Sequence, residues 1–329
     1  MSNIKMKMNK VRKRSAALVY LLLCFSLING QTLLDTSFTV VPLGVKGGSD
    51  ESNLSSYMIS RYNSNRYILM DASTIHAGIQ KAIQLKSLKG DVTTILRENI
   101  TGYFISHPHL DHLAGMIINS PDDTNKPIYG LPFCLTAIRD KYFSWKTWAN
   151  FGDTGEEPKL KKYNYVEMTP GIPVITEAAA FEVSAFPLSH SAPYESTAFL
   201  IKNNNSYLLY LGDTGADEVE KSNNLDQLWI KIGPLIKQHL LKAIFIEVSF
   251  ANDQKRELLF GHLTPMLLME EMKKLSVFAG QENMKNLNVV ITHQKPAPGR
   301  EARISSELKA GNSLQLNLVF PKQGFALNF

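Results

Sequence analysis

A run of six residues, His107-Pro-His-Leu-Asp-His112, constrains this chain more than any other feature. It contains three imidazoles and one carboxylate, and it directly follows the apolar segment Gly102–Ser106, which is typical of a buried strand. Nitrogen and oxygen ligands of this kind suit zinc or a similar divalent ion. Four such ligands are more than one tetrahedral ion normally takes from one short loop. The run therefore predicts a site at a strand end that two metal ions share.

Residues 1–30 have the pattern of a secretory signal peptide. Residues 1–15 contain six basic residues and no acid, Ala16–Leu27 is apolar, and Gly30 is a small residue suited to cleavage. The apolar stretch is shorter than the roughly 20 residues that a membrane-spanning helix needs. We therefore predict an exported protein, periplasmic or secreted, that has no membrane contact after cleavage.

Removing this segment changes what the charge implies. The whole chain has 35 Lys and Arg against 30 Asp and Glu, a net charge of +5. Without residues 1–30 the balance is 29 bases against 30 acids, or −1. The mature chain has no global basicity that would attract nucleic acid or an anionic membrane. An anionic substrate must therefore be attracted by local charges.

The remaining chain alternates short apolar runs with helical patterns, which is typical of an α/β architecture. The predicted strands are Phe38–Leu43, Tyr67–Met70, Gly102–Ser106, Phe181–Pro187, Ala198–Ile201, Ser206–Leu211, Ala243–Val248 and Leu287–Thr292. The predicted helices are Ile75–Leu88, His112–Asn119, Leu225–Leu241 and Thr264–Leu275. Cys134 is the one cysteine of the mature chain, so no internal disulfide can form, and we expect it to be a buried apolar residue.

Residues 140–170 depart from this alternation and are rich in aromatic residues and lysine. We predict one domain, residues 31–329, in which this segment forms an inserted rim or lid. Phe143, Trp145 and Trp148 are candidates for stacking on a purine base. The alternative is that these rings form a small satellite core.

More potential ligands follow predicted strands elsewhere in the chain. His190, Asp213 and His293 each come shortly after a strand candidate. The sequence Gly-Asp-Thr-Gly occurs twice, and only the copy that contains Asp213 ends a strand, so Asp153 in the first copy is predicted to be a turn residue. A closed structural zinc site would need only four ligands and would favour cysteine. The ligand set therefore favours a reactive metal site.

The order HxHxDH, a single His, Gly-Asp and a late Thr-His resembles that of the metallo-β-lactamase fold superfamily. The longer stretch from His107 to Pro121 resembles the signature of the class II cyclic nucleotide phosphodiesterases. Three later segments resemble further motifs of that family: Glu247–Phe250, Phe260–Pro265 and Ile291–Pro296. The resemblance extends over roughly residues 38–329, nearly the whole mature chain.

The resemblance implies an α/β fold of the αββα four-layer type that binds two zinc ions, or other divalent ions, as cofactors. By position, the first ion would be bound by His107, His109 and His190, the second by Asp111, His112 and His293, and both by Asp213. A hydroxide held between the ions would attack the phosphorus of cyclic AMP, or alternatively of cyclic GMP, and yield the 5′-monophosphate. The predicted partner is thus a small-molecule cyclic nucleotide, and the oligomeric state is left open.

The resemblance also implies a proton donor for the leaving 3′ oxygen. His262 is the candidate, with Glu247 orienting its imidazole, although a histidine at a helix entry can also serve only as a packing residue. We assign His262, Glu247 and Asp111 as the catalytic residues. Two alternatives to this function are another hydrolase of the same fold, such as a lactonase or β-lactamase, and a secreted binding protein whose metals are not catalytic.

Overall fold

A computed structural model describes residues 36–329, and the predicted signal peptide lies outside the described residues. The strands are β1 Phe38–Gly44, β2 Ser56–Arg61, β3 Tyr67–Met70, β4 Ile100–Phe104, β5 Lys126–Gly130, β6 Tyr163–Glu167, β7 Val174–Thr176, β8 Phe181–Ser189, β9 Glu195–Asn203, β10 Ser206–Leu211, β11 Leu241–Glu247, β12 Asn288–Thr292, β13 Asn317–Val319 and β14 Leu327–Asn328. The helices are α1 His76–Gln84, α2 Val92–Thr94, α3 Leu110–Asn119, α4 Pro132–Ala137, α5 Asp217–Glu220, α6 Asn224–Lys237, α7 Pro265–Ala279 and α8 Arg300–Gly311.

The strands form two sheets of seven. Their orders are β14-β1-β2-β3-β4-β5-β6 and β13-β12-β11-β10-β9-β8-β7. In the first sheet β3, β4, β5 and β6 are parallel, and in the second β10, β11, β12 and β13 are parallel. Since β8 and β10 both run antiparallel to β9, β8 has the same direction as β10. The carboxyl ends of β8, β10, β11 and β12 therefore lie at one edge of their sheet.

Three hydrophobic cores account for the layering. Alternate residues of a strand point to opposite faces, so Ala243 and Phe245 of β11 pack between the two sheets while Ile244 and Ile246 pack on the outer face. The outer core of the second sheet includes α6, α7 and α8, and the outer core of the first sheet includes α1, α3 and α4. The resulting order of helices, sheet, sheet and helices confirms the predicted αββα four-layer sandwich.

All eight predicted strands are present, two of them, Tyr67–Met70 and Ser206–Leu211, with the predicted bounds and six with shifted ends. The predicted helix Leu225–Leu241 was wrong at its carboxyl end. The helix ends at Lys237, His239 has a φ of 58°, and Leu241 begins β11. The strands and helices that were not predicted include β2, β5, β6 and α8. Cys134 is buried, as predicted.

Ser37–Phe329 forms one compact unit. The segment predicted to be an inserted rim or lid starts in a single helical turn, Ile138–Tyr142, and contains the edge strand β6 of the first sheet. Within residues 36–329, no helix combines the length and apolar character required to cross a lipid bilayer.

Candidate metal centre

The predicted ligands come together where strands of both sheets end. His107 follows β4, and α3 begins three residues later, so its amino-terminal turn carries Asp111 and His112. His190 follows β8, Asp213 lies two residues beyond β10, and His293 follows β12. This is the edge at which α/β sheets commonly bind ligands, because the loops leaving several strands meet there. Two regions distant in sequence thus supply one site.

Two groups of side chains face each other at this edge. In the first, His107 Nε2 lies 3.0 Å from His109 Nδ1, which in turn lies 3.4 Å from His190 Nε2. In the second, Asp111 Oδ2 lies 3.2 Å from His293 Nε2, and His112 completes the group. In each group the ligand atoms lie within 4.8 Å of one another.

Asp213 lies between the two groups. Its Oδ1 is 3.3 Å from His112 Nε2, and its Oδ2 is 3.2 Å from His293 Nε2. On the other side, the same Oδ2 is 3.9 Å from His107 Nε2 and 3.8 Å from His190 Nε2. One buried carboxylate therefore reaches both groups, as the predicted bridging role requires. Asp153 instead accepts a hydrogen bond from Tyr165 N in the inserted segment.

A buried carboxylate, Asp71, fixes the tautomers of two histidines. His112 Nδ1 lies 2.7 Å from Asp71 Oδ2 and donates to it, which leaves Nε2, 3.3 Å from Asp213 Oδ1, as the nitrogen that can bind a metal ion. Ser106 Oγ donates to Asp71 Oδ2 and accepts from His107 Nδ1 at 3.0 Å. His107 therefore also presents Nε2 as a lone pair. Tyr210 donates a further hydrogen bond to Asp71.

The second sheet orients two more imidazoles in the same way. His190 Nδ1 donates to Gly261 O at 2.9 Å. Ser249 Oγ donates to Glu247 Oε2 at 2.6 Å and accepts from His293 Nδ1 at 3.0 Å. Each ring again presents Nε2 to the centre. The His293 ring packs so closely on Gly47 that a Cβ there would lie 2.0 Å from it.

The donor set is suited to divalent metal ions. Four imidazoles turn Nε2 toward the space beside two carboxylates, Asp111 and Asp213, and the buried His112 Nε2 has no hydrogen-bond partner. Burial, together with neighbouring imidazoles, lowers the pKa of His190 to about 4 and that of His107 well below its ordinary value, which favours the neutral rings that a metal ion requires. Against the effect of burial, Asp213 and Asp71 raise the pKa of His112 well above its ordinary value. This negative charge favours a cation at the centre.

His262 and Glu247 lie beside the ligands and are hydrogen bonded to each other. His262 Nδ1 lies 2.7 Å from Glu247 Oε1, which also accepts from Thr214 N. His262 Nδ1 is 3.7 Å from Asp213 Oδ2. Although burial opposes it, the Glu247 carboxylate raises the pKa of His262 above its ordinary value. The pair thus holds a protonated or readily protonated imidazole next to the ligand cluster.

A cavity of about 220 Å³ opens above these residues. Its walls include five predicted site residues, His109, Asp111, His190, Asp213 and His262, and four others, Ser191, Tyr194, Phe260 and Lys295. No residue of the inserted segment lines it. Phe143 is fully buried in the outer core of the first sheet, which excludes the predicted stacking role for this ring.

Sequence reasoning missed several residues that shape the site. Asp71 directly follows β3, so the strand-end rule that identified Asp213 also applies to it. Ser106 and Ser249 each lie two residues beyond a strand that had been predicted, β4 and β11, but serine alone gives no metal-site signal. Tyr194 lies in a loop whose sequence has no distinguishing pattern, and Phe260, although it begins a segment that resembles a family motif, was not recognised as a site residue.

Sequence comparison with known proteins identifies the family of this chain. The family model described as "cAMP phosphodiesterases class-II" matches residues 36–324. The chain is 40% identical to a 3′,5′-cyclic-nucleotide phosphodiesterase of Aliivibrio fischeri, with 89% of this chain and 93% of the relative covered.

Solved structures show the same fold. The crystal structure of unliganded yeast PDE1 superposes with a TM-score of 0.80 at 21% identity, covering 89% of this chain and 100% of that one. A metallo-beta-lactamase fold protein of Bacillus subtilis superposes with a TM-score of 0.57 at 17% identity, covering 88% of this chain and 99% of that one. The predicted fold and the predicted family are both confirmed. The chain belongs to the class-II cAMP phosphodiesterases, a family of cyclic-nucleotide hydrolases.

Proposed function

We propose that the protein is an exported enzyme with two zinc ions that hydrolyses 3′,5′-cyclic AMP, and also cyclic GMP, to the 5′-monophosphate. One observation supports the phosphodiesterase chemistry beyond family membership: His262, which is hydrogen bonded to the buried Glu247, lines the same cavity as four of the predicted metal ligands. A hydrolase of this kind needs both a site for an activated water and a proton donor for the leaving oxygen. The ligand cluster and the pair supply one each.

The ligand groups suggest how two ions would be held. His107, His109 and His190 would bind one, Asp111, His112 and His293 the other, and Asp213 both. When bound, two divalent ions lower the pKa of water and stabilise the charge on phosphoryl oxygens. The ligand atoms are imidazole nitrogens and carboxylate oxygens, which zinc accepts, as do other divalent ions.

In this proposal, His262 would transfer a proton to the leaving 3′ oxygen. Its Nδ1 is engaged by Glu247, so the transferable proton is on Nε2, and the ring lines the cavity. The Glu247 carboxylate favours the protonated imidazole, which is the form that a general acid needs. Thr214 N and Ser249 Oγ hold Glu247 itself in place.

Export rests on the sequence of residues 1–30. A processed protein in the periplasm or medium would degrade cyclic nucleotide outside the cytoplasm. Cell fractionation with an amino-terminal sequence of the recovered protein tests this part of the proposal. A full-length chain that stays in the cytoplasm would contradict it.

Metal removal tests the catalytic part most directly. We expect the purified mature chain to contain two ions, to hydrolyse cyclic AMP, and to lose that activity in a chelator. Zinc should restore it. Fewer than two ions per chain, or hydrolysis that survives complete metal removal, would overturn the dinuclear mechanism.

The two alternatives predict different results in the same assay. A lactonase or β-lactamase would hydrolyse its own substrate at full rate after His262→Ala, because no phosphodiester proton donor is needed. A binding protein would bind cyclic AMP when metal-loaded and never release a 5′-monophosphate. Product analysis of the metal-loaded protein therefore separates the three functions.

A further inference from the structure

The substrate's base has to be bound outside the ligand cluster. This inference rests on the proposed function, which places the phosphodiester at the metal ligands. The cavity of about 220 Å³ is smaller than the roughly 300–1,000 Å³ of typical small-molecule sites. In a cyclic nucleotide the phosphate is fused to the ribose that carries the base. The base of a bound substrate therefore lies at the cavity mouth, one sugar away from the ligands.

Tyr194 forms one side of this mouth. The residue is 60% exposed, and its ring centroid lies 5.3 Å from that of the predicted ligand His109. The loop that carries it is closed by hydrogen bonds from Tyr194 N to Ser191 O and from His190 N to Tyr194 O. The exposed ring is thus held close to a ligand on a short, internally bonded loop.

Phe260 lies at the same mouth, two residues before His262. Its ring is also 60% exposed, and its φ is 51°, a backbone conformation that is unfavourable for a bulky side chain. Folding alone does not explain why a large apolar residue is exposed at a position where the backbone is strained. Such combinations are typical of positions at which the surrounding structure presents a residue to a ligand.

The two loops are attached to each other. Gly261 O accepts a hydrogen bond from His190 Nδ1 at 2.9 Å, and a Cβ on Gly261 would lie 2.3 Å from Ser191 N. Ser191 N also donates to Glu220 Oε2 at 2.6 Å. The ligand His190 and both aromatic rings therefore belong to one bonded unit, which fixes where the rings lie relative to the cluster.

We propose that Tyr194 and Phe260 bind the base of the cyclic nucleotide through their ring faces and thereby set the preference for nucleotides over other phosphodiesters. Aromatic rings and bases of every kind stack, because each base has a π face. The pair should consequently accept adenine and guanine alike. Selection between these two purines is not expected from these rings.

The test compares cyclic AMP with a substrate that lacks a base, methyl riboside 3′,5′-cyclic phosphate. In Tyr194→Leu and Phe260→Leu of the metal-loaded enzyme, we expect KM for cyclic AMP to rise by about 5–100-fold while kcat changes little. The kinetic constants for the base-free substrate should stay at their wild-type values. Tyr194→Phe, which keeps the ring, should retain the wild-type KM.

Tyr62→Leu is the matched control. Tyr62 is 48% exposed and follows β2, which runs antiparallel to β3, so it lies at the sheet edge opposite to Asp71 and the site. Its kinetics should match wild type. An unchanged KM for cyclic AMP in both leucine variants, or equal losses on both substrates, would overturn the stacking role. A wild-type enzyme that hydrolyses neither substrate would instead refute the proposed function.

Discussion

Two buried carboxylates support the metal centre from opposite sheets, and their partners differ. Asp71, after β3, contacts the predicted ligand His112 directly and the predicted ligand His107 through Ser106. Glu247, at the end of β11, reaches one ligand, His293, only through Ser249, and bonds directly to His262. The first carboxylate thus contacts only predicted ligands, whereas the second connects a predicted ligand to the proposed proton donor.

This difference makes it possible to separate metal affinity from turnover, since a loss of activity alone does not show which of the two has changed. Partners outside the coordination sphere fix the tautomers and basicity of metal ligands, so damage at Asp71 should appear as weaker metal binding. Damage at Glu247 should appear mainly as slower turnover at full metal occupancy. The following predictions test this division, beginning with the largest expected effect.

His262→Ala should lower kcat for cyclic AMP by about 10²–10⁴-fold, the usual contribution of a positioned general acid. Metal content should remain at the wild-type value, because the seven predicted ligands are intact. Steady-state kinetics and metal analysis on the same preparation check both points. Loss of metal in this variant would show that His262 is itself a ligand. This alternative has to be tested because His262 Nδ1 lies only 3.7 Å from Asp213 Oδ2.

Glu247→Gln should reduce kcat less, by about 10–100-fold. A glutamine can keep its carbonyl oxygen toward His262 and Thr214 N and place its amide toward Ser249 Oγ, which can accept a hydrogen bond. Folding should therefore be preserved while the charge that favours protonated His262 is lost. Thermal unfolding and kcat measured together check this, and a variant that instead loses its metal would place Glu247 with Asp71.

Asp71→Asn should weaken metal binding by about 10–100-fold. Asparagine tolerates the φ of 51° at this position, so the backbone is retained. Its amide, however, must face either His112 Nδ1 or Ser106 N, and both are donors in the tautomers assigned above. If the amide faced His112, two hydrogen-bond donors would oppose each other. His112 would then move its proton from Nδ1 to Nε2, the predicted ligand atom. Competition with a chromogenic chelator measures the affinity.

Asp123→Asn provides the matched control. Asp123 is a buried carboxylate outside the ligand cluster that accepts from the hydroxyls of Tyr103 and Tyr163 and pairs with Lys126. Its loss should lower stability but leave metal affinity unchanged. If both asparagine variants bound metal equally weakly, the effect of Asp71 would be a general consequence of disturbing a buried carboxylate.

The same two regions also explain what the sequence could predict. The ligands could be predicted from the sequence because they follow apolar runs and belong to residue types with a known metal preference. Their order along the chain also gave the family resemblance. Asp71 was missed although it ends a strand, because no second ligand lies near it in the sequence. The serine links could not be predicted, since Ser249 acts only through contacts that its fold neighbours create.

The aromatic residues were predicted least well, for a physical reason. A cluster of rings such as residues 140–170 predicts either a binding rim or a core, and composition does not separate them. Phe143 packs in the core, and the indole of Trp148 donates to Ser120 Oγ. The rings at the cavity, Tyr194 and Phe260, are isolated in the sequence, and only the contact between their two loops brings them together.

Tyr210→Phe tests the first region with the smallest expected effect. Tyr210 is buried and donates to Asp71 Oδ2 at 2.7 Å, and burial together with Asp71 raises its pKa well above the ordinary value, so the hydroxyl keeps its proton. Removing a hydrogen bond to a charged acceptor should lower the free energy of unfolding by about 1.5–3 kcal/mol. Urea unfolding measures this loss, and kcat at saturating metal should stay close to wild type.

Tyr103→Phe makes the comparison specific, because Tyr103 donates to Asp123 in the same way at 2.5 Å. Both variants should lose similar stability, since each leaves a buried carboxylate with one donor fewer. Only Tyr210→Phe should weaken metal binding, and by less than Asp71→Asn, because Ser106 and His112 still bond to the carboxylate. Equal metal affinities in the two phenylalanine variants would mean that metal binding does not depend on how firmly Asp71 is held. Of the two proposed roles, only that of Glu247 in turnover would then remain.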